Sequence, residues 1–151
     1  MVPKVVRTGV AAAAMFILGC ESPTAIEKDV RVTVNDAILT AQERFVELDA
    51  TVRNEGSQRI KLVGCGTEKL ERATGDGDYV VVTRQLECAA AGLPDDGYIE
   101  PQSEAVFHLV IPVVQGIQTD ASYRLSIPVF IEGRRDSRLV KSSNFTLSAS
   151  H

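Results

Sequence analysis

The chain has 151 residues, 44% of them hydrophobic, with 16 Lys+Arg against 20 Asp+Glu and a formal net charge of −4. That length suits one domain behind a leader, the apolar fraction is enough for a packed core, and the acidic balance argues against nucleic acid or an anionic membrane surface as partner. The three cysteines show no CxxC spacing and the histidines, His108 and His151, are far apart, so no zinc site, cofactor site or nucleophile–base–orienter set is assembled from them, and a non-catalytic chain is expected.

Lys4 and Arg7 precede an apolar run from Val10 to Leu18. A bilayer span needs about 20 residues, so the run reads as the hydrophobic part of a secretory signal. Glu21 to Lys28 is a short polar tether. Period-two patterning then takes over. Asp29–Val34 alternates valines with polar residues. Ala37–Glu47 is the one place where a helical turn is arguable. Phe45–Arg53 puts Val46, Leu48, Ala50 and Val52 on one face, as a half-buried antiparallel strand does. Asn54-Glu55-Gly56 is a turn and Arg59–Val63 resumes extended structure. Thr67–Ala73 is a weaker strand, Thr74–Asp78 a hairpin signal, and Tyr79–Cys88 strongly β-prone. Ala89–Gly97 reads as a loop. Tyr98–Glu104 leads into Ala105–Pro112, Gln115–Asp120 turns, and Ser122–Glu132 is the longest strand candidate, broken or edged by Pro128. Gly133–Arg138 is a charged turn before a last segment, Leu139–Leu147. Short strands at this spacing predict an all-β fold, a sandwich or barrel.

Ile17-Leu18-Gly19-Cys20 resembles the lipobox of bacterial lipoproteins: an aliphatic residue three before the cysteine, a small one immediately before it. The resemblance implies a signal peptide over residues 1–19, cleaved after Gly19, and a lipidated tether over 20–28 with acyl chains on Cys20. The domain proper is 29–151. Two or more chains anchor stably where one does so only marginally, at ~0.8 kcal/mol per buried methylene. Leu18 is larger than the residue usual at its place in the box. Without residues 1–19 the balance is 14 basic against 20 acidic, net −6. The membrane is then a partner only through lipid. The place is a bacterial cell envelope, the periplasmic face of the outer membrane if the cell has one, since Glu21 is not the Asp of an inner-membrane retention signal.

With Cys20 lipidated, Cys65 and Cys88 remain. In an oxidising envelope a leftover pair most simply forms one disulfide, contributing roughly 3 kcal/mol in the chain-entropy picture. A metal site or catalytic thiol finds neither a nearby histidine nor a basic neighbour to support it.

Several motifs then fall in order: Asn54-Glu55-Gly56, Cys65-Gly66, Asp76-Gly77-Asp78-Tyr79, Cys88, Glu100-Pro101-Gln102-Ser103, and Tyr123-Arg124-Leu125. Over about residues 29–147 this resembles the immunoglobulin-like domains of bacterial envelope lipoproteins, which run as N-x-G, C-G, D-G-x-W/Y, C, P-G-E/Q-S and G-x-Y-R-L. The resemblance implies an immunoglobulin-like antiparallel β-sandwich of about seven to nine strands, and a structural tyrosine corner at Tyr123. It departs from the pattern at Gln102, where the family turn has glycine, and at Asp120-Ala121-Ser122. Function is expected to be binding of a protein or envelope component through end loops or an exposed strand edge. The candidate loops are Asn54–Gln58, Gly75–Asp78, Leu93–Gly97 and Gly133–Ser137. The alternative is a proteinase inhibitor, for which Gly92-Leu93-Pro94 is the one loose candidate. Asp76, Asp78, Asp95 and Asp96 read as solvated turns without the spaced oxygens of a calcium loop. His108 reads as a semi-exposed strand residue, and Arg134, Arg135 and Arg138 as a solvated cluster.

Overall fold

A computed structural model of the chain describes residues 28–40, 44–63, 67–84, 89–91 and 97–150. Cys20, Cys65, Cys88, Gly92-Leu93-Pro94, Asp95 and Asp96 lie outside them.

The clearest alternation gives the clearest strands. In β2 (Phe45–Asn54) Val46, Leu48, Ala50 and Val52 are buried while Glu47, Asp49 and Arg53 face solvent. In β8 (Glu104–Pro112) Ala105, Phe107, Leu109 and Ile111 do the same. The two pair antiparallel with Leu48 opposite Leu109 and Ala50 opposite Phe107, so one apolar stripe meets another. β1 (Val30–Leu39) flanks β2 on its other side. Here the sequence reading needs correction: the strand does not stop at Val34, and residues 37–39 are extended, not helical. The register slips between Val34 and Asp36. That bulge swaps the inward phase from Val30 and Val32 to Ala37 and Leu39, and a pattern read with fixed period loses the strand there.

The remaining elements are β3 (Ile60–Leu62), β4 (Lys69–Ala73), β5 (Tyr79–Val81), β6 (Ala89–Ala91), β7 (Tyr98–Ile99), β9 (Tyr123–Ile131), β10 (Ser137–Lys141) and β11 (Ser148–Ala149). One sheet has the order β11-β1-β2-β8-β6. The other has β5-β4-β9-β3-β7, with β10 on the opposite edge of β9. β3 and β4 share one edge of β9, as two halves of an interrupted strand. In immunoglobulin domains A, B, E and D form one sheet and C, F and G the other. β1, β2, β8 and β6 take the first four places, and β3/β4, β9 and β10 the last three. Between the sheets lies a single core, with Val52, Leu70, Tyr123, Leu125 and Val129 fully enclosed. Residues 89–91, expected in a loop, pair with His108–Val110 as the outer strand of the first sheet.

Pro128 does not break β9. It sits opposite Leu139 of β10 on one side; on the other, its carbonyl accepts the Val63 amide at 3.2 Å. Pairing with β3 ends at Val129 and pairing with β4 begins at Ser126. The missing N–H therefore faces the gap between two partner strands, where little is lost.

Gln102 explains the departure noted in the sequence. The Ser103 amide closes a turn onto the Glu100 carbonyl at 3.1 Å, with Pro101 second and Gln102 third at φ 62°. A turn with this left-handed third position favours glycine. Glutamine is held there by its own side chain, whose Nε2 donates to the carbonyls of Glu55 (2.8 Å) and Gly56 (3.2 Å). Gln102→Gly is expected to leave stability within about 0.5 kcal/mol, backbone relief offsetting the lost bonds. Gln102→Val should cost about 2 kcal/mol. Thermal unfolding of the two variants checks this, and equal losses would contradict it.

Candidate interaction surface

Two of the candidate loops, Asn54–Gln58 and Gly133–Ser137, gather at one end. The Glu55 amide donates to the Asp29 carbonyl at 2.7 Å, so the chain enters the domain beside Asn54–Gln58. Gly56 is tight against that segment: a Cβ there would stand 3.2 Å from the Asp29 Cβ. Asn54 is fully buried and knots the end together. Its Nδ2 donates to the carbonyls of Gln58 (2.8 Å) and Ile99 (3.0 Å), and its Oδ1 accepts the Gly56 amide (3.0 Å). The Glu132 amide binds the Arg59 carbonyl, which brings the β9–β10 turn, Gly133–Asp136, to this near end; of Leu93–Gly97, Gly97 lies against Lys61. Gly75–Asp78 is at the far end, where the neighbouring Ala73 amide meets the Ser122 carbonyl.

The outer faces of the two sheets differ in chemistry. That of the first is salted with exposed charges: Arg53 with Glu55 and Glu104 at 3.9 and 3.8 Å, and His108 Nδ1 with Asp49 Oδ1 at 2.9 Å. Exposed pairs of this kind contribute little. His108 is thus a strand residue paired across the ladder, and its partner was hidden from sequence because it depends on the β2–β8 register.

The second sheet's outer face carries aromatics capped by cations. A cross-strand row runs Tyr98, Lys61, Phe130, Ser137 over β7, β3, β9 and β10. Lys61 Nζ and the Arg59 guanidinium lie 5.2 and 4.7 Å from the Tyr98 ring centroid. Arg59 also pairs with Glu132 and, at 3.7 Å, with Glu100. The guanidinium holds the Glu132 carboxyl below the usual carboxylate range. Leu139, 45% exposed, adjoins the row beside Pro128. Further along, the Arg124 guanidinium stacks on Tyr79 at 3.4 Å and donates to the Glu71 carboxylate at 2.5 Å. Ser126 donates to the same carboxylate (3.1 Å), and the Tyr79 hydroxyl to Asn144 (2.9 Å). Glu71 is 9% exposed, a nearly buried charge kept by its partners. Sequence reasoning missed this cluster, although alternation on β9 already sets Arg124 and Ser126 on the face opposite Tyr123 and Leu125.

Tyr123 itself is fully buried. Its hydroxyl donates to the Gln118 carbonyl (2.6 Å) and accepts the Gln118 amide (3.1 Å), pinning the crossover between the sheets. Burial is the main cause that raises its phenol above the ordinary value. Among the described residues no three His, Cys, Asp or Glu side chains converge as a metal site would require, and no helix is long and apolar enough to cross a membrane. An open groove of about 620 Å³ between β1 and β10, lined by Arg31, Thr33, Glu55, Lys141 and Ser143 among others, is polar and shallow.

Sheet partition and strand order define an immunoglobulin-like β-sandwich. No family model and no curated protein sequence matches the chain. Among solved structures it is similar to the archaellum periplasmic stator protein FlaG from Sulfolobus acidocaldarius, with 12% identity and a TM-score of 0.41 over 77% of this chain and 99% of that one. It is similar also to the periplasmic stator complex of FlaF and FlaG from the same organism, with 9% identity and a TM-score of 0.40 over 93% and 100%. Likenesses this distant carry no partner or role over to the present chain.

Proposed function

We propose that this is a non-catalytic envelope protein, lipid-anchored through Cys20 and stapled by a Cys65–Cys88 disulfide, that binds a protein partner on the outer face of its second sheet. The observation that carries the reading is the row of Tyr98, Lys61 and Phe130 with Arg59 and Leu139 at its margins. Aromatics and arginine on a rigid sheet are the residues that dominate protein interfaces. The tether supports the arrangement. Glu21 to Lys28 spans at most about 30 Å when extended, and the chain enters beside Asn54–Gln58. Anchored so, the near end lies toward the membrane, while the far end and both sheet faces stay open to the envelope. The periplasmic face of an outer membrane is the corresponding location in a cell with two membranes.

Two measurements test this. Replacing Cys20 by serine should abolish labelling by a fatty-acid analogue and release the chain from the membrane fraction; retention of both would remove the anchor. A photo-crosslinking residue at Phe130 should capture a protein in intact cells that the same residue at Val106, on the first sheet, does not. Equal capture at both sites would remove the proposed face.

A further inference from the structure

We propose that the free edge of β5 is a self-pairing surface, on which two copies of this chain join their Asp78–Arg84 segments antiparallel about Val81. Hydrogen bonding already fixes which backbone groups point where. The Asp78 carbonyl accepts the Thr74 amide, the Val82 amide donates to the Leu70 carbonyl, and the Arg84 amide to the Pro112 carbonyl, at 2.8 to 2.9 Å. Alternation therefore turns the N–H and C=O groups of Tyr79, Val81 and Thr83 toward the other edge, where no described strand pairs with them.

This edge is short, but its side chains give it none of the usual protection. Residues 79–83 contain no proline and no charge, and Val80 and Val81 are 41% and 52% exposed. Sheet edges are ordinarily blunted by lysine, proline or a bulge. The edge of β10, by contrast, carries Arg138 and Lys141.

The segment is complementary to itself. Centred on Val81, antiparallel pairing sets Val81 against Val81, Val80 against Val82, Tyr79 against Thr83 and Asp78 against Arg84. Every pair is of a type that stabilises sheets, and the ion pair occurs twice by symmetry. Asp78 and Arg84 are exposed and have no ion-pair partner among the described residues. A slip of two residues in either direction sets Asp78 or Arg84 against a valine, and a slip of one residue mismatches the hydrogen-bonding groups. So short an edge falls below the interface size of a permanent dimer, and the pair is a weak, concentration-dependent one.

The test is mild oxidation of the full chain in detergent, with Val81→Cys compared against Val106→Cys and the wild-type background. Val81 positions in register lie about 5.5 Å apart between Cα atoms, within disulfide reach. Val81→Cys should give a disulfide-linked dimer and Val106→Cys should not. In the Val81→Cys background, Asp78→Arg or Arg84→Asp alone should cut the yield about three- to tenfold, and the two together should restore it. A Val81→Cys yield no greater than that of Val106→Cys overturns the proposal. So does a double charge exchange that recovers nothing over either single change. The Val81–Val106 comparison decides even where a charge variant folds poorly.

Discussion

Replacing Tyr123 by alanine is expected to destabilise the domain by about 4 kcal/mol, as emptying a fully enclosed aromatic site does. Tyr123→Phe separates the ring from the hydroxyl. It keeps the packing against Phe145, whose ring centroid lies 6.4 Å away. It also keeps the paired backbone bonds to that residue, at 2.8 and 2.9 Å. Only the phenolic oxygen goes, leaving the Gln118 amide and carbonyl without their partner at a cost of about 2 kcal/mol. Either substitution also removes a titrating group. Burial raises the Tyr123 phenol above 10.0, so the unfolded chain releases that proton first as pH rises. The unfolded state then binds fewer protons than the native one, and stability falls as pH rises through 10. Urea titrations at neutral and alkaline pH should show a shallower alkaline loss in Tyr123→Phe than in the wild type. An identical slope would show that the hydroxyl is not held as described.

Asn54→Ala is the second large effect, at about 3 kcal/mol. Asn54 is fully buried, and its loss removes three hydrogen bonds, the one to Ile99 fully enclosed, leaving backbone groups of Gln58, Ile99 and Gly56 without their partner. Asn54→Asp should be no milder. It keeps the acceptor for Gly56 but has no donor for the two carbonyls, and it places a charge where none is solvated. Ile99 adjoins Tyr98, so either change should also loosen the aromatic row and weaken capture at Phe130. A loss under about 1 kcal/mol in chemical denaturation would mean that the near-end loops hold together without this side chain.

Both residues were visible in the sequence as parts of short motifs, and Tyr123 was expected there as a structural tyrosine corner; the partners of neither were legible. Asn54 stood out as the end of an alternating strand; that it reaches Ile99 depends on how β7 lies on β3. The strands that face one core and carry strict alternation, β2 and β8, were legible in full. The second half of β1 was not, because one inserted residue reversed its phase. Residues 89–91 looked like loop because alanine is a poor strand former and its pairing comes entirely from the neighbouring ladder. The continuity of β9 through Pro128 depends on a gap between two partner strands that no local rule predicts. The polar pairs on the outer faces, Asp49 with His108 and Glu71 with Arg124, join residues 59 and 53 positions apart, and only register brings such residues together.

The parallel pairing of β11 with β1 has a mechanical consequence. Ile38 lies opposite Ser148 and Leu39 opposite Ala149, and the Ser150 amide binds the Leu39 carbonyl at 3.0 Å. The backbone therefore comes in at one pole of the sandwich and leaves β11 at the other. Tension applied between these two points slides the paired strands lengthwise, so their bonds are loaded together in shear and are not peeled open one after another. A pull along the length of the domain is therefore met first by this short parallel pair.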